Sequence, residues 1–599
     1  MIGNPPYVRQ EQLKDKDFFK DHFEVYDSVA DLYVYFYEVS HCLLRRFGRF
    51  GMVTSNKFMR AAYGKNLREF LSRVAYVREI LDFGDLPVFL EVSAYPCIVL
   101  TIKGDEERGP IRYLRVPSLD FDSLERLVEE QGGELPSSVI EDADWRLVNP
   151  EEFRILEKME QIGVPLKVWL GDTKINYGIK TGLNEAFFID EATRARLIAE
   201  DPKSAEIIKP LVVGEDIKRY EIEFRNRYLI FTRRGIDIDR YPAIKGHLEQ
   251  FRERLEPRPP NWDEEKQGKW PGRKPGAYAW YEIQDTIDYY ADFENPKILY
   301  QDIAERGTFA YDTQGLFANN TVYLIGTSNP FLLGLLNGKL VEFWFRRTGA
   351  EYRGGYLRFF SQYMERIPIC RIAFVTPQEE RARLVEEGKH LYREALEKTK
   401  QANTTQALFS DLLAFVEERL KKIHQPDPEL VRKHNADPLN KDWQISERQP
   451  WEQSDVVHDI LAFLAEEMIR MNREKQKEMK AFLSWLEAEL NIQPDKKGRI
   501  GIEALTGKTK LNNYLGDYQK GEPELPFGEF WEILRKNKSR IGRPLSHEFM
   551  AQLQEAYEWS LTKLRPIKER LRLTDALIDQ IVYRLYGLTE EEIRIVEGG

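Results

Sequence analysis

Cysteine is scarce: Cys42, Cys97 and Cys370 are the only three in 599 residues. They lie too far apart to read as a zinc-ligand pattern or a disulfide framework, and a reducing cytoplasm suits them. No apolar run approaches the roughly 20 residues that span a bilayer, so no membrane segment is expected, nor does a secretory leader precede Asn4. Cationic excess is missing too, since the net charge is -11 and the pI about 5.6. That excludes a uniformly adhesive nucleic-acid binder but leaves room for a local basic groove. A glycine-rich strand-to-helix turn is also lacking, because Gly182, Gly235 and Gly349 stand isolated. What remains, 42% hydrophobic and 31% charged residues, reads as globular, and the length predicts three or so domains.

Residues 1–120 read as α/β. Asp31 to Phe47 predicts a helix with Leu32, Phe36, Val39, Leu43 and Phe47 on one apolar face. Short strands follow at Arg49–Thr54, Arg78–Phe83 and Tyr95–Lys103, with a second helix beginning at Asn66. Residues 121–165 are polar, with turn residues at Gly132-Gly133 and Pro136-Ser137-Ser138, and read as a connector. Residues 166–372 carry recurrent strand-like runs, among them Ile175–Lys180, Ala186–Ile189, Arg227–Thr232 and Lys297–Ile303. Residues 373–599 read as mostly helical, with helical apolar spacing over Pro377–Lys422 and Ser454–Leu490 and a polar loop at Pro426–Gln453.

The most specific stretch is Asn4-Pro5-Pro6-Tyr7, which follows an Ile-Gly pair suited to the end of a buried strand. It resembles the catalytic motif of S-adenosylmethionine-dependent DNA adenine-N6 methyltransferases. The chemistry fits those residue types. The exocyclic amine of adenine is a poor nucleophile because its lone pair is delocalised into the ring. An Asn amide oxygen and a carbonyl held by the fixed φ of proline accept from the amine and free that lone pair. Tyr7 offers a face on which an extruded base can stack. The segment GMVTSNKFMRAAYGKNLREFL (Gly51 to Leu71) resembles the family's second aromatic wall, which points to Tyr63 first and Phe58 in reserve; Lys57 and Arg60 lie beside them. Pro96-Cys97 sits in a continuous apolar run, where a thiol is a small hydrophobe rather than a nucleophile.

A second resemblance runs from NYGIKTGLNEAFFID to LLGLLNGKLVEFWFRRTGAEYRGGYLRFFSQYMERIPI, in the order of a TaqI-like specificity domain. Between Lys218 and Lys274 there are 15 Lys or Arg against 10 Asp or Glu, a local excess of five cations interleaved with Trp262 and Trp270. Cations of this kind position a duplex through its phosphates, whereas Arg, Asn or Gln read base edges. Arg219, Arg233, Arg234, Arg273 and Lys274 are the expected contacts, with Gln301, Asp302, Arg306 and the Arg353-Gly354-Gly355 turn as further ones. No metal is called for, because a sulfonium already carries an activated methyl group.

Together the resemblances imply the C-terminal part of a type IIG-like, TaqI-like restriction–modification adenine-N6 methyltransferase. The implied fold is α/β: a partial Rossmann-like sheet lacking its N-terminal half (1–120), a connector (121–165), an α+β target-recognition domain (166–372) and a helical region (373–599). The implied cofactor is S-adenosylmethionine and the implied partner double-stranded DNA. The family's cofactor-binding half precedes the Asn-Pro-Pro-Tyr motif, so a separate N-terminal fragment is a further expected partner. By itself the chain is expected neither to bind the cofactor nor to transfer methyl. Two other classes stay open. One is a specificity subunit acting in trans. The other is an endonuclease, for which Glu478-Met479-Lys480 is a weak metal-site triplet inside a Lys/Glu-rich helix. N4-cytosine methylation is disfavoured by Asn4, since those enzymes more often carry Ser there.

Overall fold

The computed structural model describes the chain apart from residues 90–94, 105–108, 142–144, 353–354, 399–403, 497–498 and 599, and apart from the side chains at 62 and 350–352. Two compact units result: Met1–Val164 with Phe343–Arg358 and Leu588–Gly599, and Pro165–Glu342 with Phe359–Gly587.

The first unit is built on six strands: β1 (Ile2–Gly3), β2 (Arg49–Ser55), β3 (Ala75–Asp82), β4 (Pro96–Lys103), β5 (Ile111–Arg115) and β6 (Gly133–Leu135). Their order is β1-β2-β4-β3-β5-β6. β1 runs parallel to β2, with Gly3 opposite Met52, while β4 lies antiparallel between β2 and β3. Helices α1 (Lys16–His22), α2 (Tyr33–Leu43), α3 (Lys65–Val74), α4 (Leu124–Gln131) and α5 (Pro150–Ile162) complete the α/β arrangement. A bulge between Val77 and Glu79 resets the alternation of β3, so Val77 and Ile80 share one core although they are three residues apart. Leu81 and Phe83 join Leu114, Val116 and Val128 in a second cluster.

Two expectations are corrected here. The expected connector 121–165 continues the unit: β6 pairs with β5, and Leu135, Trp145 and Leu147 enter the same core as Phe50 and Val99. Its polar composition reflects the exposed faces of α4 and α5, not a linker. The second correction concerns α2. Its buried side is Tyr33, Val34, Tyr37, Ser40 and His41, whereas Phe36, Val39 and Leu43 are 38%, 42% and 71% exposed. Polar atoms make the burial possible: the Tyr37 hydroxyl pairs with Thr54 Oγ1 at 2.9 Å, and His41 bonds the Tyr37 carbonyl and Thr101 Oγ1. A satisfied tyrosine buries its ring at little cost.

The second unit opens with two four-stranded sheets. One orders Phe317–Ala318, Ile208–Val212, Arg227–Ile230 and Phe188–Asp190; the other orders Phe309–Asp312, Lys297–Gln301, Val322–Ile325 and Ile175–Tyr177. Of the expected strand at Ala186–Ile189, the first part is instead the helical turn Asn184–Phe187. Helices then dominate. The expected Pro377–Lys422 helix is broken into Gln378–Glu397, Thr405–Leu408 and Ser410–Arg419, and the expected loop at Pro426–Gln453 contains the helix Pro428–Ala436, capped by Asp427. Two long helices, Ser454–Leu490 and His547–Leu585, pack along each other. Among the described residues no helix is long and apolar enough to cross a membrane.

A buried charged centre ties this helical pair to the preceding sheets. Arg219 donates two bonds to Asp575, at 2.8 and 2.9 Å, and one to the Asn337 carbonyl at 2.6 Å. Asp579, one turn beyond Asp575, accepts from the Lys339 backbone N–H at 2.8 Å. Burial, and then the charge of Asp575, push the Asp579 carboxyl up to about 7, against the pull of Arg219 and Lys339. A folded-state value raised above the unfolded 3.8 gives stability that is complete below the unfolded value and is lost as pH rises through about 7. The Asp579 contribution to the wild-type melting temperature should therefore fall as pH rises from about 4 to about 7 and level off above that. Asp579→Asn, which keeps the acceptor and removes the charge, should flatten that fall, as thermal denaturation across this pH range would show.

Candidate active site and DNA-facing surface

Asn4 to Tyr7 leave the carboxyl end of β1 beside the ends of β2 and β3. Asn4 is exposed, and its amide makes no hydrogen bond with a described residue; Pro5 is buried. The Pro6 carbonyl closes a tight turn by accepting from the Val8 N–H at 3.0 Å, while the Val8 carbonyl accepts from Leu32 N–H at 3.1 Å. The Pro5 carbonyl makes no hydrogen bond with a described residue. The segment is thus pinned on both sides of an amide oxygen and a carbonyl that have no partner among the described residues.

Tyr7 is half-buried, and its hydroxyl is enclosed without a hydrogen-bond partner. Burial pushes its phenol up to about 12, so it stays neutral. The ring meets Phe89 edge-on, with centroids 5.9 Å apart and planes at 61°. Phe89 is half-buried in the loop that leaves β3. Lys57 is exposed, its Nζ 5.4 Å from the centroid of the exposed Tyr95 ring. Asn56 donates to Asp82 Oδ1 at 2.7 Å and joins the ends of β2 and β3.

The aromatic wall expected from Tyr63 and Phe58 is not where the sequence put it. Phe58 is fully buried against Tyr33, Tyr37 and Trp145. Its backbone is fixed from below, because Arg68 donates to the carbonyls of Phe58 and Ala61. Gly64 is required there: a Cβ would lie 2.0 Å from the Phe58 carbonyl oxygen. Tyr63 turns inward and pairs its hydroxyl with that of Tyr33 at 3.0 Å. Phe89, which sequence reasoning passed over, is the ring beside Tyr7. A Pro-Val-Phe triplet in an irregular loop carries no periodic signal, so only its position directly after β3 marked it. Cys97 is fully buried, and burial drives its thiol well above the ordinary range, so it is no nucleophile.

The expected DNA contacts also sort by burial. Arg219 faces inward, as described above. Arg273 is 4% exposed and gives its donors to the carbonyls of Leu255, Thr181, Glu282, Ala279 and Trp280. Desolvation lowers its guanidinium to about 10. Neither arginine is free to meet phosphate, which corrects the expectation for both. Gln301 is partly buried and donates to the Ile217 carbonyl at 2.7 Å, and Arg306 approaches the Gln519 carbonyl at 3.5 Å. Arg233, Arg234 and Lys274 are exposed. Arg234 donates to the Gln284 carbonyl and stands over Tyr278, whose hydroxyl donates to the Lys274 carbonyl. Arg233 lies over Tyr290, 4.3 Å from the centroid. Many other cations of the basic window are neutralised locally, as Arg225 and Arg227 are by Glu215 and Asp216. Trp262 and Trp270 pack on each other. Arg353 lies outside the described residues.

The Eco57I restriction-modification methylase model matches residues 1–89, and the TaqI-like C-terminal specificity domain matches 209–369. Type II methyltransferase M.BstVI of Geobacillus stearothermophilus is 26% identical over 412 residues, covering 65% of this chain and 70% of the relative. Type II methyltransferase M.PaeR7I of Pseudomonas aeruginosa is 28% identical over 408 residues, covering 64% and 67%. The matches support a restriction–modification methyltransferase with a TaqI-like specificity domain. A third model, a domain of unknown function (DUF8810), matches residues 455–582 of the chain, on the long helical pair. Among solved structures, the DNA complex of the Type IIL restriction-modification enzyme MmeI is 16% identical, with 78% of this chain and 57% of that one covered. Its TM-score of 0.38 is too low to carry an argument.

The methylase match covers Asn4, Tyr7, Phe58, Tyr63 and Phe89 together. The residues at this edge fit a base rather than a cofactor: an amide and a carbonyl for an amine, and rings for a purine. The triplet around Glu478 is engaged otherwise, since Glu478 pairs with Lys563 at 3.0 Å. No group of three His, Cys, Asp or Glu suited to a metal forms among the described residues.

Proposed function

We propose that the chain supplies the base-handling and DNA-reading parts of an adenine-N6 methyltransferase that acts on double-stranded DNA with S-adenosylmethionine as methyl donor. The observation that carries this reading is the free Asn4 amide beside the available Pro5 carbonyl, at a strand's carboxyl end, next to the Tyr7–Phe89 ring pair. An adenine turned out of the duplex places its N6 amine against those two acceptors, which draw the lone pair out of the ring. Its faces meet Tyr7 and Phe89, the latter turning from edge-on to face-on to admit it. S-adenosylmethionine supplies the activated methyl group; the residues present here hold and activate its acceptor. Arg233, Arg234 and Lys274 contact phosphate, and Lys57 with Tyr95 contacts the strand near the extruded base.

The outer edge of β1 supports a partner that completes the sheet. Ile2 is 92% exposed, and Phe36, Val39 and Leu43 of α2 present apolar side chains to solvent. An unpaired strand edge beside an apolar helix face is a template for further β-pairing and burial. We place the cofactor-binding half of the methyltransferase there, as a separate fragment or as a preceding stretch of the same protein.

Phe89 and Phe58 test the assignment against each other in the assembled enzyme. Loss of one stacking face is worth about 1–3 kcal/mol, so Phe89→Ala should lower kcat/KM roughly 5- to 150-fold with its melting temperature kept. Phe58→Ala should instead cost about 3–5 kcal/mol of stability. Steady-state methylation and thermal melting on both variants read the difference. A fully active Phe89→Ala enzyme would remove Phe89 from the site.

A further inference from the structure

The helices Ser454–Leu490 and His547–Leu585 end in a tip with a core of its own, where Phe482, Leu490, Tyr514, Phe530 and Phe549 meet. On it sits a run of five cations with no carboxylate between them: Arg535, Lys536, Lys538, Arg540 and Arg543. Arg535, Lys536, Lys538 and Arg543 border a cleft of about 670 Å³, into which a single carboxylate, Glu532, also faces. In a chain of net charge -11 this concentration stands out.

The backbone beneath the run is fixed. Asn537 is buried and donates to the carbonyls of Thr506 and Ile533, at 2.9 and 2.8 Å, while its Oδ1 accepts from Thr506 N–H. Gly542 N–H donates to the Leu490 carbonyl at 3.0 Å, and the Arg540 carbonyl accepts from Gln493 N–H at 2.8 Å. The charges are only partly compensated. Arg535 pairs with Glu532 and Arg543 with Glu489, and Arg540 reaches the Pro494 carbonyl. Lys536 and Lys538 are exposed, and their ammonium groups form no hydrogen bond or ion pair with a described residue. A rigid loop that displays unpaired ammonium groups around a cleft is matched to a polyanion with regularly spaced charges, and less to a compact ligand, since the cleft walls are charged and open.

We infer that this tip is a second, sequence-independent DNA-binding site that grips duplex phosphates flanking the target. The inference rests on the reading that the chain works on double-stranded DNA. Asp575, which holds Arg219, lies 28 residues along the helix from His547, or about 42 Å at 1.5 Å per residue. The tip's outer end at His547 thus lies a helix length comparable to about 12 base pairs of B-form duplex from the Arg219 anchor. It lengthens the footprint without adding sequence information, because phosphate contacts position a protein and base contacts specify.

The test is duplex binding by the full chain, followed by fluorescence anisotropy across a salt series, with Lys536→Ala/Lys538→Ala compared to wild type. Each phosphate contact contributes about 0.9 to the slope of log affinity against log salt, so the double variant should flatten the slope by about 1.8 and weaken binding roughly tenfold. Hydroxyl-radical footprints should lose protection on one flank. Both lysines are exposed, so the melting temperature should hold; if it falls, Lys536→Gln/Lys538→Gln repeats the measurement with the side-chain bulk retained. Wild-type binding with an unchanged slope and footprint in the variants would overturn the tip as a contact and leave the methyltransferase reading intact. No binding of duplex by the wild type would overturn both.

Discussion

Asn4→Ala in the assembled enzyme should lower kcat about 10²–10³-fold, the range measured when a single preorganised polar group is removed from a reacting centre. Duplex affinity should stay within about twofold, because Asn4 acts on one amine and touches no phosphate. Folding should be unaffected, since the side chain is exposed and makes no bond with a described residue. Asn4→Asp should also fail, though for a different reason. Its carboxylate keeps the acceptor but adds a negative charge beside Tyr7, whose hydroxyl is already enclosed without a partner. Single-turnover methylation separates the chemical step from binding in each case.

The second large effect concerns stability. Arg219→Ala should destabilise the second unit by about 3–5 kcal/mol, the cost of leaving buried carboxylates without their cation. Asp575 and Asp579 would then face each other among Tyr220, Tyr518 and Lys339 with no compensating guanidinium. Pairing Arg219→Met with Asp575→Leu should recover most of the loss, because an apolar pair of similar volume avoids desolvating charge. Chemical denaturation of the single and double variants measures both. Had Arg219 been a phosphate contact, as its place in a basic window suggested, Arg219→Ala would weaken DNA binding and leave the unfolding midpoint alone.

That contrast shows what the sequence carried and what it did not. Asn4-Pro5-Pro6-Tyr7 could be proposed from the sequence because the chemistry it suggests is local: four consecutive residues hold all the groups concerned. The strands Arg49–Ser55 and Pro96–Lys103 were legible because a central strand must be apolar along its length. Arg219 and Arg273 were not, since a buried arginine and a solvated one have the same letter. The partner that decides the matter for Arg219 lies 356 residues away. The buried face of α2 was misread because tyrosine and histidine rank as polar until the Thr54 and Thr101 hydroxyls meet them. The apolar face that periodicity selected, Phe36, Val39 and Leu43, is real, and it is the one left open to solvent. Phe89 escaped because its partnership with Tyr7 depends on two loops meeting across the sheet.

The same logic explains why charge counting overstated the DNA surface. Of the basic window, Arg252 and Arg254 answer Glu249 and Glu185, and Arg258 answers Glu264. Arg233, Arg234 and Lys274 form no ion pair with a described carboxylate, although Arg234 acts on Asp285 through space. Lys536 and Lys538 have side chains without an ion-pair partner among the described residues, in a stretch that composition alone gave no reason to single out.

The most direct measurement is mass spectrometry of nucleosides from the DNA of cells that express the protein, set against cells in which codon 4 encodes alanine. N6-methyladenine should be present in the first and missing at the same sites in the second. N6-methyladenine that persists when Asn4 is alanine, or N4-methylcytosine in its place, would contradict the assignment of the amide to an extruded adenine.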